Sequence, residues 1–85
     1  MFDINFKKIT LKEFNERYRL NLKYKEDNLE NFFDFLTEEL NNTKSLSFFS
    51  SLDADDVIQD YYEVLQGKYS MIEFIEVNGV YLVVY

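Results

Sequence analysis

Histidine and cysteine are both absent from the 85 residues of this chain. Without histidine there is no commonest general base, no commonest transition-metal ligand and no usual nucleophile–base triad. Without cysteine there is no disulfide framework and no thiolate chemistry, which is compatible with a reducing cytoplasm. No apolar run approaches the roughly 20 residues that a membrane-spanning helix requires. No signal-peptide pattern opens the chain, so the expectation is a cytoplasmic protein with no membrane role. A fourth lack is local: no lysine or arginine stands between Glu26 and Asn42.

What is present is an acidic, aromatic-rich chain. Nine Phe and seven Tyr in a sequence that is 47% hydrophobic exclude a disordered acidic tail. The length is enough for one domain, residues 1–85, around a single core. Neither repeats nor low-complexity tracts interrupt it. Charge is unevenly placed. Residues 1–25 carry seven basic and three acidic side chains, a net of +4, whereas Glu26 to Glu76 carries thirteen acidic side chains against Lys44 and Lys68, a net of −11. Such a field attracts cationic surfaces and repels nucleic acid and anionic membrane.

The stretch Tyr24 to Leu40, YKEDNLENFFDFLTEEL, is the centre of the pattern. At 100° per residue Leu29, Phe32, Phe33, Leu36 and Leu40 form a core-facing stripe. Glu30, Asp34 and Glu38, four apart, stack in a column on another face. Like charges at that spacing repel by a few tenths of a kcal/mol per pair, and no cation on the helix relieves them. The column serves either as a solvated face that keeps a small domain soluble or as the contact for a basic partner.

Phe2 to Ile9 alternates as a first strand. Thr10 and Glu13 form a capping box that starts a helix to about Leu20, with Leu11, Phe14 and Tyr18 facing inward. Arg17, Arg19, Lys23 and Lys25 cluster near its end, where cations suit the helix dipole better than they argue for phosphate binding. Asp27, three residues before Glu30, opens the acidic helix, and Asn41 or Asn42 ends it in the left-handed conformation. Ser45 to Ser50 reads as a second strand. Asp53 caps a third helix, Ala54 to Gln66, with Ala54, Val57, Ile58, Tyr61 and Leu65 buried and Gly67 closing it. Asp56, Asp60 and Glu63 give that helix an acidic flank. Met71 to Tyr85 is a hairpin around the type I′ pair Asn78-Gly79. The order predicts an α/β fold: a small three-stranded parallel sheet packed with helices, plus an antiparallel edge strand from the C-terminal hairpin.

Chemistry is sparse. No nucleophile has an adjacent base by motif, and the Glu30/Asp34 carboxylates come with no sign of a sugar cleft, so no catalytic residue is assigned. Asp53-Ala-Asp-Asp56 lacks the glycine and the twelfth-position glutamate of an EF-hand loop and reads as helix capping, so no metal and no cofactor are expected. A protein with a basic face remains. Carboxylates can replace phosphates opposite Arg and Lys in charge-assisted, often bidentate pairs.

Tyr24 to Thr37, Y-K-E-D-N-L-E-N-F-F-D-F-L-T, resembles the second-helix signature of the barstar family of intracellular ribonuclease inhibitors: an aromatic, then Asn-Leu-(Asp/Glu), a large apolar pair, Asp, one residue and Leu-Thr. Asn28, Leu29, Glu30, Asp34, Leu36 and Thr37 match, and Phe33 stands where the family has Trp. V-I-Q-D-Y-Y-E, Val57 to Glu63, resembles the segment ending in the family's second acidic contact. The resemblance covers roughly residues 1 to 75. It implies that Asp34 enters the catalytic phosphate pocket of a nuclease, with Glu30 one turn earlier, Tyr24 packing on catalytic residues and Glu63 a second contact. Lys25, Glu26 and Asp27 depart from the family's more neutral loop, the hairpin after Ile75 goes beyond it, and Phe35 replaces a small residue as an aromatic anchor or a flank of the core.

The expected function is therefore a barstar-like immunity protein that blocks a basic ribonuclease or nuclease toxin as a monomer in a 1:1 complex. The partner-facing set is Tyr24, Asp27, Glu30, Asn31, Asp34, Phe35, Glu38, Asp60 and Glu63. The competing expectation is an acidic interaction domain or nucleic-acid mimic for another basic protein.

Overall fold

The structure is a computed structural model that describes residues 5–25, 28–44, 46–64 and 72–85, with the side chains of 63 and 64 left undescribed. Strand β1 (Lys7–Ile9) leads through Thr10 into α1 (Leu11–Tyr18). The expected capping box is present: Thr10 Oγ1 accepts from the Glu13 amide at 3.1 Å, and Glu13 Oε1 accepts from the Thr10 amide at 3.2 Å. Arg19, at φ 57°, ends α1 in the left-handed conformation. Helix α2 (Leu29–Thr43) begins at Asn28, whose Oδ1 accepts from the Asn31 amide at 2.8 Å. The cap is thus Asn28. The expected start, Asp27, lies outside the described residues. The helix also runs past Asn41 and Asn42, and Lys44 takes the left-handed position that closes it.

Strand β2 (Phe48–Ser51) is shorter than expected and ends one residue later. The third helix, α3 (Ala54–Val64), starts as expected at Asp53, whose Oδ1 accepts from the Asp55 amide at 3.0 Å. The expected closure at Gln66 and Gly67, and the burial of Leu65, fall outside the described residues. Strands β3 (Glu73–Val77) and β4 (Val80–Val84) form the expected hairpin, with Asn78 at φ 50° and Gly79 at φ 92°. Both central residues have the positive φ of a type I′ turn.

The fold is α/β, three helices on a four-stranded mixed sheet in the order β1-β3-β4-β2. β1 pairs parallel with β3, and β4 pairs antiparallel with both β3 and β2. Three strands therefore run one way and β4 runs against them. The reversed strand is not at the edge: it lies between β3 and β2, so that β1·β3 is the one parallel pair. Burial explains its place. Val80, Leu82 and Val84 are buried on one face, and Val83 is buried on the other. A strand covered on both sides belongs in the interior of a sheet.

The two faces carry different cores. Ile75, Val77, Val80, Leu82 and Val84 pack with Phe14 of α1 and Phe32, Leu36 and Leu40 of α2. The opposite face carries Phe74, Tyr81 and Val83. α3 lies there: it packs on β2 and β4, it buries Val57 fully, and the Tyr61 and Phe74 rings meet edge-on at 5.2 Å. The predicted stripe of α2 holds for Phe32, Leu36 and Leu40. Leu29 departs from it, being 43% exposed. Its Cδ1 lies over Gly79, close enough that an added Cβ there would meet it at 3.0 Å. The first turn of α2 overhangs the hairpin tip rather than the middle of the sheet, so Leu29 covers a turn instead of filling the core.

Candidate functional site

The site is built on the side of α2 that the core leaves to solvent. Burial of Phe32, Leu36 and Leu40 fixes the rotation of the helix, and helical spacing then carries Glu30, Asp34 and Glu38 outward on successive turns. All three carboxylates are exposed, as are Asn31 and Asn28. Among the described residues the one ion pair, Arg17–Glu73, lies elsewhere. The column is therefore an array of like charges with no cation among the described residues in ion-pair contact.

Aromatic rings form one shoulder of this face. Tyr24 packs against Phe35 at 4.8 Å and Phe32 at 5.3 Å between ring centroids. Tyr24 and Phe35 are both half-buried. Phe35 therefore joins the flank of the core and, with Tyr24, presents an aromatic edge to solvent. On the other shoulder, Thr37 Oγ1 lies 3.2 Å from Ser50 Oγ, which turns that flank of α2 towards β2. Asp34 and Glu30 sit three and seven residues before Thr37 and share its flank.

The acidic flank of α3 is on the far side of the sheet. Ser51 Oγ donates to Asp56 Oδ2 at 3.3 Å, and Asp60 follows one turn later, both aspartates exposed. The partner-facing set expected from the sequence joined the α2 column with Asp60 and Glu63 of α3 in one surface. The structure separates them: α2 and α3 lie on opposite faces, and the patches bracket the outer edge of β2. This was not readable from helical periodicity, which phases each helix but says nothing of which face of the sheet it covers. The expected Asp27 lies outside the described residues, as does the side chain of Glu63.

A second cluster escaped sequence reasoning. Arg17, read as a helix-end cation, forks onto Glu73 of β3: Nε donates to Oε2 at 2.9 Å and to Oε1 at 3.2 Å, and Nη2 also bonds Oε2. Tyr18 Oη donates to Glu73 Oε1 at 2.6 Å. Hydrogen bonding from Arg17 holds the Glu73 carboxyl below the usual carboxylate range, against the opposing effect of burial. Burial first, then the bond to Glu73, raises the Tyr18 phenol above its ordinary value. No sequence motif links residues 56 positions apart. The knot fastens α1 to β3, away from the acidic column.

A depression of about 350 Å³ lined by Ile9, Glu13, Glu16 and Arg17 lies by α1. Its charges are mixed and it does not touch the acidic face. No group of three or more metal-capable side chains gathers among the described residues, and no described helix is long and apolar enough to cross a membrane. No family model, curated protein or solved structure matches the chain.

Proposed function

We propose that this protein is a barstar-like inhibitor that binds a basic ribonuclease, in particular a nuclease toxin, through the outer face of α2. The observation that carries the reading is the column itself: Glu30, Asp34 and Glu38 are all exposed, with no cation of the described chain paired to them. The repulsion they create is relieved by a partner's Arg and Lys side chains, which meet carboxylates as they meet phosphates. Asp34 stands at the centre of the column and takes the phosphate position of the nuclease. Glu30 and Glu38 flank it, and the Tyr24–Phe35 edge supplies apolar contact beside it. The barstar-like motif from Asn28 to Thr37 supports the choice of a nuclease over other basic proteins. The protein acts by occlusion and does no chemistry of its own.

The charge distribution makes association the quantity to measure. Electrostatic steering raises association rates from about 10⁵–10⁶ M⁻¹s⁻¹ towards 10⁸ or more at low salt. Stopped-flow mixing with a barnase-type ribonuclease, or with a nuclease toxin encoded beside this chain, should show a rate that falls at least tenfold between about 20 and 500 mM NaCl, as the screening length shrinks. A rate unchanged across that range contradicts an electrostatically steered inhibitor.

A further inference from the structure

The two edges of the sheet are guarded differently. β1 carries Lys7 and Lys8, charges of the kind that discourage strand addition. β2 forms the other edge with the sequence FFSS. From residue 45 to 52, SLSFFSSL, there is no charge and no proline. Among the described residues no strand pairs with its outer side.

The pairing with β4 shows which backbone groups are left over. The Tyr85 amide donates to the Ser47 carbonyl at 2.9 Å, making 47 and 85 a hydrogen-bonded pair. With Phe49 opposite Val83 and Ser51 opposite Tyr81, alternation directs the bonds of 47, 49 and 51 towards β4. The amides and carbonyls of Phe48 and Ser50 then point outward. Leu52, at 38% exposure, follows at the end of the strand.

This open edge lies between the two acidic flanks. On one face Thr37 contacts Ser50, and Asp34 and Glu30 share that flank of α2. On the other, Asp56 contacts Ser51, and Asp60 follows on α3. From Glu26 to Gly67 the sole cation is Lys44. Side chains of an added strand alternate between the two faces, so lysines or arginines on both of its faces would meet carboxylates on both sides. A second copy of this chain is disfavoured as the occupant, because edge-to-edge pairing would set acidic flank against acidic flank.

We infer that the outer edge of β2 accepts an extended, basic strand from the partner by β-augmentation. The inference rests on the acidic face being a partner surface and specifies how the partner is held: backbone bonds to Phe48 and Ser50, and cationic side chains reaching Glu30 and Asp34 on one face and Asp56 and Asp60 on the other.

The test is amide exchange followed by NMR on the full chain. The probe is a capped ten-residue peptide, KTVKKTVKKT, which as a strand places lysines on both faces. The reference is its glutamate counterpart, ETVEETVEET. At saturating lysine peptide the Phe48 and Ser50 amides should exchange at least tenfold more slowly, with no change for the glutamate peptide and loss of protection at 500 mM NaCl. Ser50→Pro removes an outward amide without removing a bond to β4, and should weaken peptide binding at least tenfold. Binding that leaves the Phe48 and Ser50 amides unprotected overturns the edge inference while leaving the acidic face as a partner surface. Absence of binding at millimolar peptide overturns it too, and the nuclease titration judges the inhibitor reading separately. Protection that appears without peptide and grows with protein concentration makes the occupant a second copy and overturns the basic strand.

Discussion

Glu73 shows how a single carboxylate acquires a structural role. It receives the fork of Arg17 and the phenol of Tyr18, both from the last turn of α1. Because the folded state holds Glu73 below its ordinary value near 4.5, its contribution to stability is present above that value and is lost as pH falls through the depressed one. Tyr18 has the opposite sign. Its raised phenol contributes below the ordinary value of 10 and loses the contribution as pH climbs above it. Thermal melts from pH 2 to 7 should show an acid limb that is shallower in Glu73→Gln, and melts above pH 10 should show an alkaline limb that is shallower in Tyr18→Phe. Limbs identical to wild type would mean that the knot does not hold α1 to the sheet. Burial separates two neighbouring phenylalanines in the same way. Phe32 is 5% exposed, and Phe32→Ala should cost about 3–5 kcal/mol through its cavity. Phe33 is half-buried, and Phe33→Ala should cost only about 1–2 kcal/mol from the smaller area it removes from water. Urea denaturation of the pair checks the order, and equal losses would contradict the rotation assigned to α2.

Among the elements, what could be read from the sequence is what closes over a few residues. The Thr10–Glu13 box, the Asp53 cap and the Asn78-Gly79 turn each satisfy their backbone groups within four positions, so residue type and spacing suffice to place them. The acidic column of α2 was legible for the same reason, since positions four apart on a helix share a face. Leu29 was misplaced because periodicity describes a helix that touches the core along its whole length, whereas the first turn of α2 overhangs the hairpin. That contact has a measurable consequence. Gly79 has φ 92°, and a Cβ there would meet Leu29 Cδ1 at 3.0 Å. Gly79→Ala should destabilise by about 1–3 kcal/mol, as expected for backbone strain at such a φ. In a Leu29→Ala background the steric part should vanish and the strain part remain. Full tolerance of alanine at Gly79 would exclude a left-handed turn residue.

At the scale of the whole molecule, the position of β4 could not be read because it depends on pairing with β2, some thirty residues away in sequence, and local pattern does not rank such partners. The arrangement of the site was hidden for the same reason: the sheet that β4 completes sets α2 on one face and α3 on the other, with the uncharged β2 edge between the carboxylates of the two helices. Among the described residues no cation is in ion-pair contact with the carboxylates of α2 or α3, and the proposed function holds that this charge is present for a partner and not for the fold. Asp34 tests the claim most directly. Flanked by Glu30 and Glu38 one turn away on either side, it adds repulsion to the free helix. In a complex its removal would leave the partner's cations buried and unpaired, which typically costs about 2–5 kcal/mol and is felt mainly in dissociation. The measurement is a thermal melt of Asp34→Ala paired with titration against the nuclease. The expected result is an unchanged or higher melting temperature together with a loss of affinity of that size. A folded Asp34→Ala protein that inhibited as tightly as wild type would contradict it.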